Sequence, residues 1–275
     1  MNEINAKFTG SIPEIYDACL GPLLFDFSAR DLAERAKRFI SSESGILEIA
    51  CGTGIATRHL REALPSGSKI IATDLNDAML EIAGKKLAGF ADVSIQQADA
   101  MSLPFGDREF DAVVCQFGIM FFPDKAKGLA EMFRVLKPGG SLIFNVWDSL
   151  DNNRCVGIAR ETISSFFDSD PPQFLKTPFG FHDPLHIKDL LNRAGFKNAE
   201  SDIVSETVEA DSVDAIAKGF VEGNPGIIEI NERANAGSAE ITEAVAEAIK
   251  NAYGKPPVKI PLQELAFTAV KPEEV

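Results

Sequence analysis

Residues 46–50 read Ile-Leu-Glu-Ile-Ala, a short apolar run with Gly45 before it and Gly52 after it. Comparable runs recur at 69–73, 93–97, 110–117 and 141–147, rich in Ile, Val and Phe. Each has the length of a buried strand and is bounded by Gly, Pro or Asp. Between them lie segments whose apolar residues recur at helix spacing: 55–64, 76–90 and 123–136. Pro65-Ser66-Gly67 stops the first and Pro138-Gly139-Gly140 the third. Asn76 or Asp77 is placed to cap the second. Strictly alternating strands and helices with short connections predict an α/β fold with a mainly parallel sheet covered on both faces. In such a sheet the crossovers are right-handed and ligands sit beyond the carboxyl ends of the strands.

The flanks follow another rhythm. Residues 14–40 predict a helical segment, with Leu32, Ala33, Ala36, Phe39 and Ile40 on one side. Ser28 is placed as its N-cap, with Asp31 three residues on. Beyond Trp147, helices are predicted at 154–167 and 183–194 around the loop Asp170-Pro171-Pro172, and strands at 197–208 and 265–270. Residues 211–253 form a helical, Glu- and Ala-rich stretch, expected to cap the open end of the sheet. The sequence holds no internal repeat.

Charge narrows the partners. The net charge is −14 over 275 residues, with 15 basic against 20 acidic residues up to Leu150 and 12 against 21 beyond it. A polyanion meets repulsion over most of such a surface, so no nucleic-acid partner is expected. No apolar run approaches the roughly 20 residues that span a bilayer. The first residues lack a basic start and apolar core, which predicts a cytoplasmic protein without integral membrane association. Cys19, Cys51, Cys115 and Cys155 lie far apart with no Cys-x-x-Cys pair, fitting reduced thiols rather than a zinc site. His182 and His186 stand at i, i+4 near Asp183 and Asp189, but helix-surface histidines explain that spacing and no metal is expected.

The chemistry concentrates where the predicted strands end. In Glu48-Ile49-Ala50-Cys51-Gly52-Thr53-Gly54, the glycines allow a tight turn and close ligand approach. The helix after them points its positive end at the same place. A dinucleotide fingerprint requires a third small residue where Thr57 stands, and Glu48 suits a ligand ammonium better than a pyrophosphate. Asp74, twenty residues past Gly54, can accept both hydroxyls of a ribose. Met79 can pack on a flat ring. Asp99 and the Ala100 backbone N–H, in Gln97-Ala98-Asp99-Ala100-Met101, can read a purine edge. Gln116-Phe117-Gly118-Ile119-Met120-Phe121-Phe122 suits a pocket floor. A nicotinamide-dependent oxidoreductase shares part of this logic but lacks its third glycine and any recognisable catalytic pair.

In this order, the segments resemble the motifs of class I S-adenosylmethionine-dependent methyltransferases, in the branch similar to ubiquinone/menaquinone-biosynthesis methyltransferases. Glu48 to Gly54 is similar to the glycine-rich first motif, Asp74 to the acidic ribose position, and Asp99-Ala100 to the adenine motif. Phe110-Asp111 through Phe122 and Arg134-Val135-Leu136-Lys137-Pro138-Gly139-Gly140 are similar to the later ones. The resemblance covers residues 40–150 most closely. It implies a Rossmann-like seven-stranded sheet of order 3-2-1-4-5-7-6 with its last strand antiparallel, N-terminal helices and a helical cap. The whole chain, 1–275, is then one methyltransferase domain. Residues 1–40 form its N-terminal helical segment, 41–150 its cofactor-binding core, and 151–275 its acceptor side with the insertion 211–253.

The resemblance also implies roles. The cofactor is S-adenosylmethionine and the product S-adenosylhomocysteine. Ala50, Gly52, Thr53 and Gly54, with Glu48, line the methionine part; Asp74 holds the ribose; Leu75 and Met79 flank the adenine; Asp99 and Ala100 read its edge. Gln116, Phe117 and Gly118 border the sulfonium, and Tyr16 and Phe27 close over the cofactor. The activated methyl belongs to the cofactor, so the protein has mainly to align the reactants and exclude water. His182 is the candidate general base if one is needed, and Asn145 and Asp148 stand where they could face the acceptor. The phenylalanines Phe121, Phe122, Phe166, Phe167, Phe179 and Phe181 point to a small, apolar or aromatic acceptor beneath the cap. A catalytically silent S-adenosylmethionine-binding module is the alternative. Oligomeric state is not legible.

Overall fold

The computed structural model describes residues 8–273. The alternation read from the sequence is present: β1 (Gly45–Ile49), α3 (Ile55–Ala63), β2 (Lys69–Asp74), α4 (Asp77–Leu87), β3 (Val93–Gln97), β4 (Phe110–Gln116), α5 (Lys125–Val135) and β5 (Leu136–Trp147). Before it come α1 (Ile12–Ile15), a π-helix over Tyr16–Phe25, and α2 (Asp26–Ala36). After it come α6 (Arg154–Ser164), α7 (Pro184–Ala194), β6 (Lys197–Ala210), α8 (Val213–Glu222), α9 (Gly226–Arg233), α10 (Ser238–Tyr253) and β7 (Val258–Val270).

The sheet has the order β3-β2-β1-β4-β5-β7-β6. Neighbours are parallel from β3 to β5, and β7 runs antiparallel to both β5 and β6. This is the α/β arrangement expected above. Because β1 has β2 on one side and β4 on the other, the chain reverses its winding there and a crevice opens beyond the carboxyl ends of β1 and β4.

Alternate residues of the central strands feed two cores. Ile46, Ile70, Ala112, Val114 and Ile143 pack with Leu32, Ala33 and Ala36 of α2 and Leu60 of α3. Leu47, Val113, Leu142 and Phe144 face α5, α6 and the cap helices. Each fully buried Val, Leu, Ile or Phe among them contributes about 1.5–3 kcal/mol. In the cap, α8 packs on the π-helix and on α10, and α10 packs on α6.

Several boundaries differ from the sequence reading. The 14–40 segment is α1, the π-helix, α2 and a 3-10 turn at Lys37–Phe39, with Pro22 inside the π-helix. Ser28 is no N-cap: it lies within α2, fully buried, and its hydroxyl donates to Glu264. β5 starts at Leu136, which already pairs with Phe110 ahead of an irregularity that absorbs Pro138-Gly139-Gly140. β7 starts at Val258 rather than 265, because it pairs with β6 from Ala210 inward. Pairing along a long hairpin sets those ends, and the local pattern around Pro261 hides them. Asp183 does cap α7, accepting from the Leu185 and His186 N–H groups at 2.9 and 3.4 Å.

Candidate functional site

The last residues of β1 and β4 run into each other where the sheet opens. Ala50 (φ 56°) and Phe117 (φ 51°) both adopt the left-handed conformation, which costs a non-glycine residue about 1–3 kcal/mol. Gly118 shows why they crowd: a Cβ there would lie 2.6 Å from the Ala50 Cβ and 2.7 Å from the Cys115 Sγ. Only glycine lets these two turns pack. Gly54, at φ 80°, starts α3, and a Cβ on it would press on Leu87 and Ala83 of α4. Thr53 Oγ1 donates to Asp17 Oδ1 at 2.5 Å, and Lys86 binds the same carboxylate, so the π-helix is tied down over the loop.

Beyond these turns lies a cavity of about 470 Å³. Of the residues singled out in the sequence, Tyr16, Ala50, Gly52, Thr53, Asp74, Leu75, Met79, Asp99, Ala100, Gln116, Phe117 and Gly118 line it. Asp74 is 8% exposed; Oδ2 accepts the Gly52 N–H at 2.9 Å and Oδ1 the Asn76 N–H at 2.8 Å. Burial raises its pKa, against the pull of those N–H groups. Oδ1 also accepts the Asn76 side-chain amide at 3.3 Å, while Oδ2 keeps a second acceptor direction for a ligand hydroxyl. Asp99 uses Oδ1 on the Met101 N–H at 2.9 Å. Gln116 Nε2 donates to the Phe25 carbonyl at 3.1 Å, whereas its buried Oε1 has no partner among the described residues. A ligand ammonium supplies the donor that this atom lacks. The residues present therefore fit an adenosyl amino-acid cofactor.

Four expected site residues stand elsewhere. Glu48 lies beneath the turn, fully buried and outside the cavity lining. Neither of its oxygens has a hydrogen-bond partner among the described residues. Burial pushes its carboxyl up to about 7; the nearby Thr57 hydroxyl lowers it without meeting hydrogen-bond geometry, and Asp74 raises it. Gly54 serves the turn and the α3–α4 packing. Phe27 points into the core, and Phe25, two residues earlier, takes the expected place in the wall, because the π-helix rotates the chain ahead of α2. His182 stays outside the lining; its Nδ1 binds the Phe179 carbonyl at 2.7 Å, which commits the ring to loop structure. Asn145 and Asp148 are also outside the cavity lining. Asn145 bonds Phe117 and Glu264, and Asp148 holds Ser149 and Asn152.

The far half of the cavity is aromatic. The Phe117 ring stacks on Trp147 with centroids 4.1 Å apart and planes 7° from parallel. Trp147 in turn stacks on Phe179 at 5.8 Å, and Phe25 tilts against Phe117 at 5.9 Å. Tyr16 stacks on Phe25 at 4.8 Å, its hydroxyl held neutral by burial and by the charge of Asp74. Phe121, Phe122 and Phe179 join this wall as the phenylalanine cluster foretold; Phe166, Phe167 and Phe181 do not. Among the described residues, no histidine, lysine, arginine or carboxylate lines this half. Sequence reasoning missed Phe25, Phe220 and Trp147. For Trp147 the signal existed, since the chain's one tryptophan closes the fifth strand at the ligand end.

Residues 47–144 match a family model described as a methyltransferase domain. The chain is 30% identical over 237 residues to the ubiquinone/menaquinone biosynthesis C-methyltransferase of Proteus mirabilis, covering 78% of this chain and 89% of that protein. It is 31% identical over 176 residues to the demethylmenaquinone methyltransferase of Staphylococcus carnosus, covering 58% and 71%. In fold it resembles phosphoethanolamine N-methyltransferase 2 of Haemonchus contortus, solved in complex with S-adenosylhomocysteine: TM-score 0.62, 17% identity, 98% of this chain and 60% of that one.

Proposed function

The chain belongs to the class I S-adenosylmethionine-dependent methyltransferases, in the branch of the ubiquinone/menaquinone-biosynthesis C-methyltransferases, and from that membership we propose that it methylates a ring carbon of a flat, apolar quinol. The membership makes it an enzyme and does not favour the silent binding module. The whole chain acts as one methyltransferase domain in the cytoplasm, where its four free cysteines stay reduced.

S-adenosylmethionine, when bound, supplies an electrophilic methyl group. Asp74 accepts the ribose hydroxyls, while Met79 and Leu75 flank the adenine and Asp99 with Ala100 reads its edge. Gln116 Oε1 receives the ammonium, with Ala50 and Gly52 beside the methionine chain. Glu48 acts from below the turn, through its charge rather than by contact.

The observation that carries the acceptor assignment is the far wall of stacked rings without a proton acceptor. A protein base contributes typically 10²–10⁴-fold where an alcohol or ammonium must lose a proton. With none at the wall, the nucleophile has to be ready on arrival. An electron-rich carbon next to an ionised ring hydroxyl meets that condition: it would take the methyl as the carbon–sulfur bond breaks. The proton left on it, acidified by the carbonyl formed beside it, would pass to water to restore the ring, whose flat face matches the slot beside Phe117, Trp147 and Phe179. The rings exclude water and fix the plane of the acceptor.

Labelled S-adenosylmethionine offered with reduced and oxidised benzo- and naphthoquinones, aliphatic alcohols and amines tests this reading. Label on the reduced quinones alone is the expected result. Label on amines or alcohols, with none on the quinols, would overturn it.

A further inference from the structure

Phe117 forms the wall between the two halves of the cavity, and it sits in a conformation that its own backbone disfavours. Its N–H is held by Asn145, by the side-chain Oδ1 at 3.1 Å and the main-chain oxygen at 3.3 Å. The Asn145 amide has its orientation dictated from behind, because Nδ2 donates to Glu264 Oε1 at 3.1 Å. Glu264 Oε2 takes the Ser28 hydroxyl of α2. Ser28, Asn145 and Glu264 are all fully buried, and none of them lines the cavity. A chain of hydrogen bonds thus runs from α2 through the β7 carboxylate and the β5 amide to the strained turn after β4.

We propose that Glu264 is a positioning residue for the cofactor and acceptor halves of the cavity, acting through Asn145 to hold Phe117 against Trp147. Donor and acceptor directions fix the Asn145 amide. An ionised carboxylate only accepts, so it meets the amide with Nδ2 and leaves Oδ1 facing the Phe117 N–H. A proton placed on Oε1 would require an acceptor from Asn145; the amide would then turn over and present its NH₂ to the Phe117 N–H. A proton on Oε2 lets the Ser28 hydroxyl reverse but leaves Oε1 a neutral carbonyl oxygen, which holds the Asn145 Nδ2 about half as strongly as a charged one.

Burial, the leading cause, pushes the Glu264 carboxyl up to about 7, opposed by the bonds from Ser28 and Asn145. The charged groups facing it are Asp31 and Arg35 of α2, which act in opposite senses. Arg35 is itself paired with Asp31 and with Asp202 of β6. The orientation lock therefore weakens as pH falls through the neutral range. This inference rests on the residues of the turn and is independent of the acceptor's identity.

Trp147, the only tryptophan, reports the stack directly. Its emission is to be followed against pH in the protein without cofactor, with S-adenosylhomocysteine affinity measured by calorimetry at each pH. The expected result is a single transition near pH 7 in emission. On its acid side, S-adenosylhomocysteine binds about two- to tenfold more weakly, the loss of one hydrogen bond. Glu264→Gln removes the titrating group and, with its oxygen toward Asn145 and its NH₂ toward Ser28, reproduces the protonated carboxyl, so the transition disappears and the affinity stays at its low-pH value at every pH. Glu48 and His182 remain in that variant, and a transition that persists in it overturns the proposal. Ser28→Ala removes one donor to the carboxylate, leaves the fold's apolar packing intact and shifts the midpoint to higher pH. An unmoved midpoint overturns the proposal as well, whether or not Glu264→Gln folds.

Discussion

The half of the cavity around Asp74 is walled by turns that follow β1, β2, β3 and β4 one after another, so residues 50–118 supply most of it in chain order. The half around Trp147 draws on Phe25 of the π-helix, Phe117 after β4, Phe179 before α7 and Phe220 of α8. The first half presents hydrogen-bonding groups already oriented by backbone N–H donors, as at Asp74. The second presents ring faces that hold one another in place. Polar recognition of a fixed cofactor needs few, precisely aimed atoms, whereas recognition of an apolar ring needs area and exclusion of water.

The contrast can be broken first at Trp147. Trp147→Ala removes a ring stacked on two others and is expected to cost about 3–5 kcal/mol of stability. Its acceptor KM should rise while S-adenosylhomocysteine affinity by calorimetry stays close to that of the parent. An equal loss of both would mean that the two halves are not separable. Asp74→Ala is the converse: S-adenosylhomocysteine binding should weaken by about 1.5–3 kcal/mol, the value of hydrogen bonds to a charged group. Unchanged binding there would remove the ribose assignment.

Glu48 sharpens the comparison through pH. Its folded pKa of about 7 lies above the ordinary 4.5. The protonated carboxyl is therefore the form the fold prefers: the stabilisation is complete below pH 4.5 and is lost as pH rises through about 7. Glu264 works in the same direction. Thermal melting across that window should show stability falling by at most about 1.4 kcal/mol per pH unit for each group. Glu48→Gln should flatten the slope, and bound S-adenosylhomocysteine, bringing an ammonium nearby, should flatten it too. The smallest effect is expected at His182. With Nδ1 committed to the Phe179 carbonyl, His182→Ala should change kcat by no more than about twofold. A loss of several orders of magnitude would restore a protein base to the mechanism.

Much of the cofactor half was readable before any coordinates. Asp74 closes β2, and Gly52, Asp99 and Gly118 sit two or three residues past β1, β3 and β4. Strand ends are marked by apolar runs closing on Gly or Asp. Phe27 was misplaced for a physical reason. The turn geometry of an α-helix differs from that of the π-helix ahead of it, and a shift of two residues brings Phe25 to the wall instead. Ser28 misled as a cap because a serine near a helix start has a local partner by default. Its real partner, Glu264, lies 236 residues away along the chain.

By itself, the sequence determined the alternation of strands and helices, the turn chemistry at Gly52 and Gly118, and the acid that closes β2, while the strand order followed from the family resemblance. Those features depend on contacts within a strand–turn–helix unit, where spacing along the chain is spacing in the fold. The tertiary structure alone decided which rings face one another, that Glu48 lies beneath the turn rather than in the cavity, and that Ser28, Asn145 and Glu264 converge behind Phe117. Such meetings depend on how helices and strands far apart in the chain pack across the sheet. Hydrophobic periodicity specifies that a side chain is buried, and leaves its neighbour to be set by packing.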